Sequence, residues 1–196
     1  PTEIYTLSLH DALPILAVYG YFSGAQRLPS PDETNIFIEA YPHGWIWSIP
    51  LHTGWTSVGA VVDSSTGQSE ISKGGLGEFL QAQVAQAPHT SVMLREAHLE
   101  SGPFIVKDWS YVCERVAGDG YVLAGDAACF VDPLFSSGVH LALMSGILSA
   151  AYVTSALKDA EIAEPAAAAY HELYLKEYGH FREMARLFYS SNLTSD

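Results

Sequence analysis

Residues Tyr121–Gly138 read YVLAGDAACFVDPLFSSG, and the order of elements within this run decides the fold. Tyr121 to Ala124 is a short apolar strand that passes straight into Gly125-Asp126. The reading is a parallel strand ending in a sharp turn, where glycine lets two backbones approach closely. Asp126 then stands at the strand's C-terminal end, where the ligands of open α/β sheets gather. A carboxylate there can accept a hydrogen bond from a ribose or ribityl hydroxyl, and Ala127 and Ala128 keep the contact close. Pro133 fixes the backbone before Ser136-Ser137-Gly138, which would offer N–H groups at the start of an apolar helix from about Ser137 to Lys158. Such groups, with the helix dipole, stabilise negative charge. That suits the N1/O2 edge of a reduced flavin, or a halide ion. A Gly-Asp pair alone would indicate only a tight turn; the full run is far more specific.

Upstream of this run the pattern is β from Leu16 to Asp63. Asn35 to Tyr41 alternates, with Ile36, Ile38 and Ala40 on one face and Phe37 and Glu39 on the other. Trp45, Trp47 and Ile49 share a face of the next run, and Thr56 to Val62 forms another. Turns at Pro42-His43-Gly44 and His52-Thr53-Gly54 make the three an antiparallel meander. Gly74, Gly75 and Gly77 read as loop before a helix near Glu78 to Ala87, with Thr90 as the N-cap of a shorter helix after Pro88. Phe104 to Cys113 is extended. Helix resumes from Pro165 to Ser190, with Tyr170, Tyr174, Tyr178, Phe181, Phe188 and Tyr189 at helical spacing, a stripe usual for a core.

GDAACFVDPLFSSGVHLAL resembles the second flavin-binding motif of the FAD-dependent monooxygenase and halogenase superfamily. By that resemblance Gly125, Asp126, Ala127, Pro133, Ser137 and Gly138 bind the cofactor, with Asp126 on the ribityl chain. Phe135 and Ser136 line the isoalloxazine and halide site. Ala142, Ser145, Gly146 and Ala150 recur every three or four residues, a stripe that permits close helix packing. A second match is Gly44-Trp45-Ile46-Trp47-Ser48-Ile49-Pro50, which resembles the WxWxIP signature of flavin-dependent halogenases. It implies an active-site wall of Trp45, Trp47 and Pro50. Physically the motif says less: two indoles facing one way on a strand, which Pro50 ends or places at an edge. Lys107 to Tyr111 resembles a segment preceding the motif in these enzymes, with Asp108 facing either the ring or solvent.

The resemblance covers Leu16 to about Asn192 and implies FAD, reduced by a separate flavin reductase, with halide as co-substrate. The implied substrate is an electron-rich aromatic. The glutamate of the tryptophan-specific type is not evident in Asp132 to Ser136, which points to phenol, pyrrole or carrier-bound substrates. A related monooxygenase or geranylgeranyl-reductase-like enzyme would share the Gly-Asp motif without needing WxWxIP. The dinucleotide fingerprint GxGxxG does not occur, since Gly74-Gly75-Leu76-Gly77 is too short. The family's lysine has no match at Lys73 or Lys107, so no catalytic residue is assigned, and the pyrophosphate loop and lysine are expected upstream. The chain alone would then be an inactive piece that holds FAD poorly.

Composition removes other classes. With 9 Lys plus Arg and a net charge of −13, phosphate neutralisation is not available, so nucleic-acid partners are excluded. The eight histidines show no metal-ligand spacing, and His171-Glu172 fails HExxH because Leu175 replaces the second histidine. Val139 to Leu157 carries enough polar residues to read as a buried helix rather than a membrane span. Two cysteines, Cys113 and Cys129, without a CxxC fit a reducing cytoplasm. Residues 1–15, PTEIYTLSLHDALPI, resemble a translated sequencing adapter and are set aside as a non-native leader. The expected organisation is α+β / α/β: an antiparallel sheet and helices of a substrate domain over 16–112, then over 113–196 the C-terminal half of an FAD-binding domain with long helices.

Overall fold

The computed structural model describes residues 15–107 and 110–192, with side chains as far as 190. They form two compact units, 15–107 and 110–189. The fold is mixed helix and antiparallel sheet, as the sequence implied.

In the first unit, strands β1 (Ile15–Ser23), β2 (Phe37–Tyr41), β3 (Gly44–Pro50), β4 (Thr56–Asp63) and β5 (His98–Lys107) form one sheet in the order β2-β3-β4-β1-β5. Every neighbour pairs antiparallel, and β2-β3-β4 is the expected meander. Helices α1 (Ser64–Gln86) and α2 (Pro88–Met93) cover one face. Leu16, Val18, Ile46, Val58, Ala60 and Val62 from alternate strand positions pack with Phe79, Leu80 and Ala87. Each large side chain buried there contributes roughly 1.5–3 kcal/mol.

Three details differ from the sequence reading. Helix α1 begins at Ser64, because the Asp63 carboxylate accepts from the Ser65 and Thr66 N–H groups at 2.9 and 3.2 Å. The glycines lie inside it, and only Gly75, at φ 77°, interrupts the helical backbone. Thr90 is not an N-cap. It lies buried within α2, whose N-terminus is held by Glu39 from β2: the carboxylate accepts from His89 N–H at 3.0 Å, Thr90 N–H at 2.7 Å and Thr90 Oγ1 at 2.8 Å. This turns β2 so that Glu39 and Tyr41 face inward while Ile38 and Ala40 face out.

The second unit holds β6 (Tyr111–Val112), β7 (Ala117–Gly118), β8 (Tyr121–Val122), β9 (Cys129–Phe130) and the long helices α3 (Gly138–Lys158) and α4 (Ala163–Asn192). The expected parallel strand is absent among the described residues. Instead β8 folds back on β7 across Asp119-Gly120, and β6 pairs antiparallel with β9. Asp-Gly is itself a two-residue hairpin signal, and Gly120 takes the positive φ it needs, 74°. Helix α3 buries Leu141, Ser145 and Tyr152 and exposes Val139, Leu143, Ile147 and Leu157. By length and composition it is apolar enough to cross a membrane, so composition alone does not exclude a span. Of its small-residue stripe, Ser145 is buried and Ala142 meets Gly125, whereas Gly146 and Ala150 are exposed.

Candidate functional site

The chain leaves β8 and turns at Gly125, whose φ of 56° is the left-handed region that favours glycine. A Cβ there would stand 3.2 Å from the Ala142 Cβ of α3. The Gly125 peptide groups are held from both sides. Its N–H donates to Ser145 Oγ of α3 at 2.9 Å, and its carbonyl accepts from the Tyr174 hydroxyl of α4 at 3.0 Å. Ser145 and Tyr174 are both fully buried. One residue on, the Asp126 carbonyl accepts from the Tyr111 hydroxyl. The Asp126 side chain is exposed and makes no hydrogen bond or ion pair among the described residues. Ala127 is also exposed. The backbone of the turn is therefore fixed while its carboxylate is left available.

After β9, Asp132 builds the approach to α3. It is buried; Oδ1 accepts from Leu134 N–H at 2.8 Å and Oδ2 from the Tyr189 hydroxyl at 3.0 Å. This fixes the turn Pro133–Phe135, and Ser136 follows at φ 51°, with its N–H on the Pro133 carbonyl at 3.0 Å. Among the described residues it is the sole non-glycine with positive φ, a strained geometry that a well-held turn can store. Ser137 is buried and starts α3 without a side-chain capping bond. The N–H groups of the first helical turn thus lack a side-chain partner. Phe135 and Ser136 are exposed, and Pro133 and Gly138 half-buried.

Trp45, Trp47 and Pro50 belong to the other unit, and Asp108 lies outside the described residues. Trp45 is buried, at 1% exposure, which leaves Trp47 as the half-buried indole of the pair. Pro50 ends β3, a central strand, opposite Thr56. Register places Ile38, Trp47, Gly59, Tyr19 and Phe104 in one row across all five strands. The row is aromatic: Tyr19 lies 6.0 Å from Trp47 and 5.5 Å from Phe104, ring centre to ring centre. Trp47 Nε1 donates to Ser57 Oγ at 3.1 Å, and its ring lies over Gly59.

The sequence reading missed the supports of the Gly125 turn. Tyr170 and Tyr174 on α4 donate to the carbonyls of Leu123 and Gly125, and Tyr152 on α3 donates to that of Gly118. The tyrosine stripe was visible, but a core stripe and a row of backbone clamps share one spacing. Burial, then the neighbouring Cys129, holds the Tyr174 hydroxyl above its ordinary range, so it remains a donor. Burial likewise pushes the Cys129 thiol up to about 11, which keeps it protonated and unreactive near neutrality.

A family model described as tryptophan halogenase matches residues 17–196. The chain is 38% identical over 178 residues to the sulochrin halogenase of Aspergillus terreus, covering 87% of this chain and 32% of that protein. It is 35% identical over 182 residues to the tryptophan 2-halogenase of Chondromyces crocatus, covering 90% and 34%. Among solved structures it resembles the myxobacterial chondrochloren halogenase CndH, an FAD-dependent halogenase, with TM-score 0.88 and 35% identity over 98% of this chain and 45% of that one. The chain spans about a third of the length of these curated relatives. On these matches and on the geometry of Gly125 to Gly138, the chain belongs to the tryptophan halogenase family.

Proposed function

We propose that this chain is part of an FAD-dependent halogenase and carries one wall of its flavin site. The observation that supports this most is the Asp126 carboxylate, exposed and unpartnered among the described residues on a turn whose backbone is fully held. The residues present fit the cofactor. Asp126 is free to accept from a ribityl hydroxyl, Ala127 adds no bulk beside it, and the uncapped start of α3 presents N–H groups and the positive end of a dipole. When bound, reduced FAD supplies the electrons that, with oxygen and halide, generate the halogenating oxidant.

In this reading Asp126 orients the ribityl chain. Ser137 and Gly138 bring the helix N-terminus to the N1/O2 edge, where it stabilises negative charge. Pro133 and the left-handed Ser136 aim Phe135 and Ser136 at the ring and the halide. In its own unit Trp47 forms an aromatic surface with Tyr19 beside the buried Trp45, whereas Pro50 lies on the opposite face of β3 and does not share that wall. Asp132, wholly engaged in building the turn, does not replace the glutamate of the tryptophan-specific type, which favours phenolic, pyrrolic or carrier-bound substrates. A separate reductase delivers the reduced flavin. The bonds that tie Ser145 to Gly125 and Tyr152 to Gly118 favour α3 as a packed helix over a membrane span.

The test uses the full-length protein with reduced FAD, oxygen, bromide and a panel of free and carrier-bound phenols and pyrroles. Brominated product by mass spectrometry is the expected result. Hydroxylated product alone across the panel would instead mark a related monooxygenase.

A further inference from the structure

We propose that Ser145 and Tyr174 are positioning residues for the flavin, acting through the Gly125 peptide rather than by touching the cofactor. The proposal rests on the flavin reading of Asp126. The two side chains come from different helices and engage opposite groups of one residue: Ser145 Oγ accepts the Gly125 N–H at 2.9 Å, and the Tyr174 hydroxyl donates to its carbonyl at 3.0 Å. Gly125 sits at φ 56°, next to the residue that must aim its carboxylate. A glycine has more accessible backbone conformations than any other residue, so this turn needs external support. Both clamps are fully buried, and the Ser145 hydroxyl is itself fixed by donating to the Ala142 carbonyl at 3.1 Å. Asp126 itself points outward, anchored at its own carbonyl by Tyr111. Loss of either clamp would let the Gly125 peptide rotate and move the carboxylate.

A purely structural role would make every tyrosine-to-carbonyl bond of this unit equivalent. Tyr152 provides the comparison: it is buried, and its hydroxyl donates to the Gly118 carbonyl at 2.8 Å, seven residues before Gly125. The experiment titrates FAD into the full-length apoprotein, following flavin fluorescence, for the parent, Ser145→Ala, Tyr174→Phe and Tyr152→Phe, with Tm of each apoprotein. Ser145→Ala and Tyr174→Phe are expected to weaken FAD binding by about tenfold or more, the scale of a lost buried hydrogen bond, and Tyr152→Phe by less than about twofold. All three should lower Tm by similar amounts. In the 196-residue chain, Ser145→Ala should also speed hydrogen exchange of the Gly125 amide, a readout that needs no cofactor. Equal effects of Tyr174→Phe and Tyr152→Phe on affinity, or none from Ser145→Ala, would overturn the clamp. A parent protein that binds no FAD would overturn the flavin reading on which it rests.

Discussion

At position 59 the side chain is a single hydrogen, and the Trp47 indole occupies the space. A Cβ built there would lie 2.2 Å from one ring atom and 2.5 and 2.6 Å from two others. The Ser57 bond to Nε1 at 3.1 Å fixes the ring's direction across β4. Gly59→Ala is therefore expected to displace the indole. It should cost about 1–3 kcal/mol in urea unfolding, the range for overpacking a filled site, and change the near-ultraviolet dichroism of the chain. Unchanged stability and spectrum would show that Trp47 is not seated by Gly59. The tryptophan pair was legible because its residue types are rare and their spacing is that of one strand face. Gly59 was not, because the fit depends on strand register, which a local pattern does not contain.

At the scale of elements, Glu39 ties β2 to the start of α2. Burial alone would raise its pKa, but the bonds from the His89 and Thr90 N–H groups, the Thr90 hydroxyl and the His89 ring outweigh it and hold the group below its ordinary value of 4.5. The sign follows. A carboxyl with a depressed folded pKa contributes stability that is complete above the unfolded value and is lost as pH falls through the folded one. Glu39→Gln should lower stability near neutral pH by about 1–3 kcal/mol, as expected for disturbing charge-assisted bonds to buried donors, and flatten this acid dependence below pH 4.5. Urea titrations of both proteins across that range check it; parallel pH profiles would contradict it. The strands of the meander were readable from alternation and turn residues. Helix α1 was not, because Asp63 caps it where the sequence reads as strand end, and its glycines mimic a loop. The inward face of β2 was open for a similar reason: a carboxylate is buried there because a distant helix supplies the His89 and Thr90 N–H groups, the Thr90 hydroxyl and the His89 ring.

For the molecule as a whole, two motifs carried the family, and 38% identity to a sulochrin halogenase supports the same placement. The parallel strand expected before Gly125 came from reading Tyr121 to Ala124 as a strand of an open α/β sheet. The described residues pair it instead through the local Asp119-Gly120 hairpin. What the motif predicted about Gly125 and Ser136 to Gly138 was backbone geometry at a turn and a helix start, and such geometry follows from local sequence. What holds that geometry comes from Ser145, Tyr174 and Tyr111, up to 49 residues away, and long-range partners of this kind leave no local trace. On the proposed reading, Asp126 on this turn receives the flavin. The most direct measurement is the FAD dissociation constant of the full-length protein beside its Asp126→Ala variant. Affinity about ten- to a hundredfold weaker is expected in a variant that stays folded, the loss for one charge-assisted hydrogen bond; equal affinity in the two proteins would show that Asp126 does not hold the flavin.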